Sequence, residues 1–419
     1  MNQRLTSLVS FMLLLVMAVV FTLSVAAKEQ DSKLVSLGNP LAQEGKQERA
    51  LNVWDLQVFD EKVYLAGGDT TTNAGPVGVW AYDPKQQTFI KEYTVPEEAI
   101  EHYRLFDNQL YIPAADPRKG DSNKFYRKSP GGEWQKFASN EVELAHVRDI
   151  IASEEGDILM AGNHRRLKTP EYPSTAITTD DGVSFQGAGV TNLDAAPFLA
   201  MDFNWFFSLF EYQQQIYATS GLLNSKYDNY GSISLYNPEA KSFAVATDLY
   251  SSEFIPQRII RRSKQADAPI VYRLWHPIEF QDYLFYPARS YSYATDNYRQ
   301  AYMNSLGFFY KQDIGKRPKK VKLPRRAVGE DLLIINNELY VLANRALKDG
   351  KYKISVFKTN RAGKRIRWRK VLQFSSSNKA RSFEYLDNKF YFGLGQDYGE
   401  AIASSGDILS YYVPSLEIN

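Results

Sequence analysis

The stretch WDLQVFDEKVYLA, residues 54–66, decides the fold. Apolar and polar residues alternate over residues 54–59, which is the period of a strand with one buried face. Asp60 and Glu61 interrupt this run, and a second apolar strand follows at residues 63–65. Two short strands around a two-residue polar turn predict a β-hairpin.

The same hairpin recurs along the whole chain. Six further copies occupy residues 103–112, 146–160, 207–218, 277–286, 332–341 and 382–392. Their second strands lie about 47 to 68 residues apart, and a period near 50 with four strands per unit is typical of a propeller blade. We therefore predict an all-β, seven-bladed β-propeller with four antiparallel strands per blade. Residues 33–37 precede the first copy, and we expect them to close the ring by joining the last blade.

The composition agrees with this architecture and excludes several kinds of site. Aromatic residues make up 14% of the chain, which favours strands. The chain has no cysteine, so disulfides and thiolate metal sites are excluded. The net charge is only +2, which gives no overall signature of nucleic-acid binding.

The N-terminus has the features of a secretory signal peptide. Arg4 supplies a positive charge, residues 11–23 are apolar, and Val25 and Ala27 place small residues before a cleavage site. An uncleaved membrane anchor is the alternative. We predict a signal peptide at residues 1–27 and one propeller domain at residues 28–419. The mature protein is then expected to be a monomer, not membrane-spanning, and periplasmic or secreted.

Strand order places the long loops on one face. The inner strand of each blade begins at this face and the second strand returns to it, so residues at these two positions meet there. Loops on one side of a rigid scaffold collect binding residues. His146 begins the inner strand of blade three and His164 ends its second strand, so we expect the two imidazoles to lie close together.

Cationic and aromatic residues follow on the same face. We predict His146, His164 and Tyr227 as catalytic residues. The predicted substrate-binding residues are Arg165, Arg166, Tyr230, His276, Arg289, Tyr291 and Arg345. Arginine pairs with carboxylates and tyrosine stacks on sugar rings, so this set favours an acidic polysaccharide or another anionic envelope ligand. The alternative is that the histidines are packing residues and the tyrosines only cover the channel.

Two basic clusters lie in the second half of the chain, at residues 311–326 and 361–370. Both fall at the turn between the outer two strands, in blades five and six. We expect one exposed basic patch on neighbouring blades, either attracting an anionic partner or forming a solvated rim.

Some turns resemble those of known propellers. The stretch TTDDGVSF, residues 178–185, resembles the Asp-box of sialidase-type propellers. The turns at Asp83-Pro84 and Asn237-Pro238 resemble kelch-type turns. The whole mature chain resembles exported bacterial propellers. Asp-boxes are structural turns remote from the active centre, so this resemblance implies the fold and no chemistry.

The paired histidines of blade three resemble those of seven-bladed lyases that cleave ulvan. This resemblance implies β-elimination on a uronate-containing polysaccharide, with a base, a cation for the carboxylate and an acid for the leaving oxygen. No ligand set for the zinc of such lyases is evident, and we predict no metal and no cofactor.

The sequence also allows a function other than a lyase. A non-catalytic propeller that binds an envelope glycan or a protein partner is the alternative. A sialidase is disfavoured because its Arg-Ile-Pro motif and arginine triad are missing. The sparse histidines and absent cysteine disfavour a quinone- or copper-dependent oxidase, and a nucleophilic hydrolase would need a Gly-x-Ser-x-Gly elbow.

Overall fold

The computed structural model describes most of the chain beyond the N-terminal segment. The described residues are 33–45, 51–68, 75–116, 123–142, 144–164, 174–191, 206–220, 222–223, 231–256, 258–259, 270–293, 301–363, 365–396 and 403–414. The predicted signal peptide, residues 1–27, lies outside them. Helix within these ranges is limited to short stretches, including the 3-10 turns Leu41–Glu44, Ser251–Phe254 and Pro324–Arg326. None of the described helices has the length and apolar character needed to cross a membrane.

Seven antiparallel sheets form the blades of a β-propeller, as the repeats predict. From the inner strand outward, blade one has β2 (Asp55–Phe59), β3 (Lys62–Ala66), β4 (Val77–Asp83) and β5 (Thr88–Val95); blade two has β6 (Arg104–Phe106), β7 (Gln109–Pro113), β8 (Asn123–Lys128) and β9 (Trp134–Ala138); blade three has β10 (Leu144–Ala152), β11 (Ile158–His164), β12 (Thr175–Thr178) and β13 (Gln186–Gly187); blade four has β14 (Ser208–Tyr212), β15 (Gln215–Thr219), β17 (Ser232–Asn237) and β18 (Ser242–Tyr250).

The second half of the chain continues the same order. Blade five has β20 (Ile278–Phe280), β21 (Tyr283–Tyr293), β22 (Ala301–Lys311) and β23 (Lys319–Lys320); blade six has β24 (Val328–Ile335), β25 (Glu338–Ala346), β26 (Tyr352–Thr359) and β27 (Arg369–Ser376); blade seven has β28 (Lys379–Leu386), β29 (Lys389–Gly395), β30 (Ile408–Tyr412) and β1 (Leu34–Gly38). The first strand of the chain, β1, pairs with β30 and closes the ring, which confirms the prediction.

The hairpin turns explain why the polar pairs recur. In six blades both central residues of the turn between the two inner strands have positive φ, as Asp60 (49°) and Glu61 (58°) do in blade one. This is the conformation of type I′ turns, whose twist matches that of the flanking strands. Asp and Asn occupy eight of these twelve positions, because their short polar side chains tolerate the left-handed region better than branched ones.

The core is divided among the interfaces between neighbouring blades. Seven clusters of buried apolar side chains fill these interfaces, including the one between blades seven and one. In β3, Tyr64 packs toward blade two while Val63 and Leu65 pack toward blade seven. Successive residues of a strand point to opposite faces, so the middle strands are buried on both sides.

Blade five departs from the regular pattern at its inner edge. The strands β19 (Ile270–Leu274) and β20 both pair with β21, and they are separated by residues 275–277. A further strand, β16 (Leu222–Leu223), extends this sheet beside β19. His276 lies in the break with a φ of 38°, a left-handed conformation that is uncommon for a residue other than glycine.

The basic clusters lie where the sequence predicts them, with one exception inside the first cluster. Residues 311–326 include the turn between β22 and β23, and residues 361–370 the turn between β26 and β27. Lys311 is only 4% exposed, because its ammonium group lies over the Phe254 ring and donates to the Ile314 carbonyl oxygen. Lys311 therefore does not belong to any exposed patch.

Candidate functional site

Polar side chains of the inner strands hold neighbouring blades together around the axis. Asp149 accepts a hydrogen bond from the backbone N–H of Leu209 in the next blade, at 2.8 Å. Asp55 does the same for Tyr103 at 2.9 Å, and Asp331 for Phe383 at 3.1 Å. Ser208 and Ser382 bond the N–H groups of the following blades in the same way. These side chains therefore satisfy backbone donors that the ring buries.

His102 lies in a buried charge network centred on Asp149. Its Nε2 atom is 3.0 Å from Asp149 Oδ1, and the Arg104 guanidinium donates to both oxygens of the same carboxylate at 2.8 and 2.7 Å. Burial and, after it, the Arg273 guanidinium lower the pKa of His102 from 6.5 to about 3. Burial alone would raise the pKa of Asp149, but Arg104 and His102 overcome this and hold it well below its usual range. His102 is therefore neutral near pH 7 and serves the packing of the channel.

A second buried network joins blades two, three and five. The Arg148 Nη1 atom donates to Glu101 Oε1 at 2.7 Å, and the Arg273 Nη1 atom donates to Glu101 Oε2 at 2.5 Å. Burial raises the pKa of Glu101, but the two guanidinium groups outweigh it, so the pKa is lowered. Both arginines are thus engaged with a carboxylate inside the protein.

His276 stands between two buried carboxylates at the axis. Its Nδ1 atom is 2.9 Å from Asp331 Oδ1, and its Nε2 atom is 3.6 Å from Asp55 Oδ2. The Ser382 hydroxyl contacts both carboxylates, at 2.7 Å from Asp331 Oδ2 and 3.1 Å from Asp55 Oδ1. Burial disfavours the imidazolium, but Asp55 and Asp331 outweigh it and raise the pKa of His276.

Asp55, His276 and Asp331 are also the one group of potential metal ligands found among the described residues. Their ligand atoms all lie within 4.8 Å of one another. However, the carboxylate oxygens already accept hydrogen bonds from Tyr103, Leu332 and Ser382, and Nδ1 of His276 already faces Asp331. The arrangement fits an imidazolium that is hydrogen-bonded to Asp331 and lies beside the Asp55 carboxylate better than a bound cation.

His146 occupies a different setting, at the boundary between blades two and three. Its Nδ1 atom lies 2.9 Å from the Ala115 carbonyl oxygen and 3.1 Å from Asp116 Oδ1. The side chain is 24% exposed. A hydrogen bond from Nδ1–H fixes the tautomer of a neutral imidazole and leaves the lone pair on Nε2.

The strand register brings His146 and His164 to the same end of blade three. His146 pairs with Asn163, and His164 pairs with Leu144, across a bulge in β10. The backbones approach so closely that a Cβ atom at Gly162 would lie 1.8 Å from the His146 carbonyl oxygen. Glycine is therefore required at this position of β11.

The other predicted site residues fall into three groups. Arg165, Arg166, Tyr227 and Tyr230 lie outside the described residues, and only the backbone of His164 and of Tyr291 in β21 is described. Arg289 is 2% exposed and lies 4.0 Å over the Trp275 ring, beside His276. Arg345 lies apart from this group, in a cleft on the flank of blade six.

Several buried charged residues at the axis were not predicted from the sequence. Arg273 and Trp275 both contact the His102 ring, and Asp149 pairs with Arg104. These residues lie at the axis together with the predicted His276 and Arg289. The available signal was the repeated aspartate that immediately precedes an apolar residue in the inner strands of three blades, at Asp55, Asp149 and Asp331. A charged residue at the same position of a buried strand indicates a shared structural role.

Comparison with known proteins shows similarity only at the level of structure. No family model matches the chain, and no curated protein matches its sequence. Among solved structures, a polysaccharide lyase of family PL25, an ulvan lyase bound to -[GlcA(1-4)Rha3S]-, is similar with a TM-score of 0.44 and 11% identity, covering 90% of this chain and 94% of that one. The polysaccharide lyase Uly1 is similar with a TM-score of 0.41 and 9% identity, covering 86% and 90%.

Proposed function

We propose that the protein is a polysaccharide lyase that cleaves a uronate-containing polymer by β-elimination, with His146 as the general base. The observation that carries the proposal is the fixed orientation of this imidazole. Nδ1 faces the Ala115 carbonyl oxygen and the Asp116 carboxylate, while the side chain is 24% exposed near the start of β10.

The chemistry requires a base that is neutral before the reaction and cationic after it. The proton at C5 of the uronate passes to Nε2 of His146, the C4–O bond breaks, and a C4=C5 double bond forms. The Asp116 carboxylate, 3.1 Å from Nδ1, stabilises the imidazolium that results. We assign the leaving oxygen's proton to Tyr227 and the substrate carboxylate to Arg165 or Arg166, as the sequence analysis predicts. His164, at the same end of blade three, is assigned to the same site.

A non-catalytic propeller that binds an acidic glycan is the second candidate. One observation favours it: His102 and His276 are both held within buried networks, so these histidines serve structure. In that case His146 would contact the ligand without transferring a proton.

Incubation of the protein with a panel of uronate polysaccharides distinguishes the two. A lyase produces an unsaturated uronate, which absorbs in the ultraviolet, and this absorbance should rise with time for at least one polymer. The variant His146→Gln, which keeps a polar side chain of similar length, should bind that polymer and leave the absorbance flat. Retained binding without any rise by the wild-type protein would select the non-catalytic candidate.

A further inference from the structure

A cleft of about 270 Å³ lies on the flank of blade six, on the side that faces blade five. Its walls come from the connection before β24, the end of β25 and the two outer strands β26 and β27. The side chains that matter are Arg325, Arg345, Lys353, Phe357, Trp368 and Lys370. The cleft is formed by described residues throughout and is separate from the histidines of blade three.

The charge of this cleft is of one sign. Four of its lining residues are arginine or lysine, and the lining contains no aspartate or glutamate. Arg345 and Lys353 are direct cross-strand partners on β25 and β26. Like charges directly opposite each other on neighbouring strands are destabilising, so this pair requires a compensating anion or solvent.

A neighbouring basic pair in the same sheet is neutralised by a carboxylate. Lys358 and Arg369 are also direct cross-strand partners, on β26 and β27, but both bind the Glu338 carboxylate, at 2.5 and 3.0 Å. Within the described ranges, the side chains of Arg325, Arg345 and Lys370 make no hydrogen bond or ion pair, and the Lys353 ammonium donates to the Ser375 hydroxyl at 2.9 Å. Blade six therefore neutralises one basic pair internally and leaves the cleft cationic.

The cleft also has an aromatic wall. The Trp368 ring is partly exposed and packs 6.2 Å from the Phe308 ring of blade five, and Phe357 is buried beside it. Arg325 and Arg326 both have left-handed backbones, with φ of 56° and 60°, as the central residues of the hairpin turns do.

We propose that this cleft is a second, non-catalytic site for a segment of acidic polysaccharide. Carboxylate or sulfate groups of the polymer bind Arg325, Arg345, Lys353 and Lys370, and a sugar ring packs on Trp368. The site holds the polymer on the enzyme's flank while another segment reaches the proposed site at His146. The inference rests on the proposed function only for the class of polymer.

The test compares two matched pairs of substitutions in a His146→Ala background, which keeps the polymer intact. Arg345→Gln/Lys353→Gln removes one arginine and one lysine from the cleft. Lys358→Gln/Arg369→Gln removes the same two charges from the pair that Glu338 neutralises. Binding to polyglucuronate and to a sulfated uronate polymer is measured by affinity electrophoresis at low salt. The cleft variant should bind about tenfold more weakly, and the control variant within about twofold of the parent, because Glu338 already neutralises the control charges whereas no carboxylate lines the cleft.

Several outcomes overturn the inference. One is equal weakening by both variants, which would indicate only the net charge. Another is no weakening by the cleft variant. Binding to single-stranded DNA and to vesicles of anionic lipid is measured in parallel. If the cleft variant loses binding only to one of these probes, the cleft has a different partner. Preference between the two polymers identifies carboxylate or sulfate as the bound group.

Folding and turnover are measured separately from binding. Removing the facing like charges should leave the melting temperature unchanged or higher. If the melting temperature decreases, the binding test is repeated with the single variant Lys370→Gln, because the Lys370 side chain is exposed. Absence of turnover by the wild-type protein on every polymer would reject the lyase, while the binding comparison would still decide the flank site.

Discussion

The Nδ1 atom of His146 lies 3.1 Å from Oδ1 of Asp116, across the boundary between blades two and three. The two residues are 30 positions apart in the sequence and belong to different blades. Asp116 follows the second strand of blade two, and His146 lies in the inner strand of blade three. Their contact exists only because the ring places the second strand of one blade beside the inner strand of the next.

Replacing His146 and Asp116 in turn separates chemistry from positioning. His146→Ala should lower kcat on the cleaved polymer about a hundred- to ten-thousand-fold, because general-base catalysis contributes that much. Asp116→Ala should lower kcat less and leave KM nearly unchanged, since Asp116 acts through the imidazole. Initial rates of the ultraviolet absorbance measure both. If His146→Ala lowered the melting temperature as well as the rate, His146 would be assigned to packing instead.

Removing Asp149 should be strongly destabilising. Asp149→Ala leaves the Arg104 guanidinium, His102 and the Leu209 N–H without their partner in a buried place. Breaking a buried ion pair from one side costs about 3–5 kcal/mol, which urea denaturation measures. The exposed pair of Lys85 and Glu61 is the control, and Glu61→Ala should leave the denaturation midpoint nearly unchanged. A small effect for Asp149→Ala would contradict its structural role.

The two axial histidines should affect stability in opposite pH ranges. The pKa of His102 falls from 6.5 to about 3 on folding, so the unfolded state binds more protons between these values. Stability is therefore lost as the pH falls from about 6.5 toward 3. His102→Gln should flatten this acid limb in a series of melting temperatures, and an unchanged limb would show that other groups dominate it.

The pKa of His276 is raised on folding by Asp55 and Asp331, although burial opposes the shift. Its contribution to stability is fully present below the unfolded value of 6.5 and is lost as the pH rises through the higher folded value. In His276→Gln, stability should no longer decrease above pH 6.5, and the decrease at acid pH should remain. The same melting series records it, and a variant that changes only the acid limb would contradict the assignment.

Lys311 should make the protein more stable in alkaline solution than at neutral pH. Burial lowers the pKa of Lys311 from 10.5 to about 7 in the folded protein. The unfolded state therefore binds more protons between these values, and the free energy of unfolding rises with pH across that window. Lys311→Met should flatten the rise and raise stability below pH 7. A parallel, uniformly lower curve for Lys311→Met would indicate that the hydrogen bonds to Ile314 and Glu253 matter more than the charge.

The repeated hairpin made the architecture accessible from the sequence. The stretch at residues 54–66 and its six copies predicted the number of blades, and residues 33–37 predicted the closing strand. The polar pairs Asp60-Glu61 and Asp387-Asn388 predicted tight turns, and both occupy the left-handed region. These features are local: alternation and turn chemistry depend on neighbours in the chain.

The site was accessible only in part. Strand direction was enough to predict that His146 and His164 share one end of blade three, because both positions belong to one hairpin. The same reasoning grouped Arg345 with Arg289, whereas Arg289 lies over Trp275 at the axis and Arg345 lies in the flank cleft. A residue at the end of a long strand can face either the axis or the flank of the blade. Its direction depends on the neighbouring blade that packs against that strand.

The sequence by itself determined seven hairpins, their turns and the closure of the ring, because each depends on residues a few positions apart or on a simple repeat. Only the tertiary structure decided that Asp55, His276 and Asp331 meet, from blades one, five and six, and that Arg104 shares Asp149 with His102. The break at His276 and the unneutralised pair of Arg345 and Lys353 were decided there too. Alternation reports which face of a strand is buried, but charge pairing depends on distances between blades that are far apart in sequence.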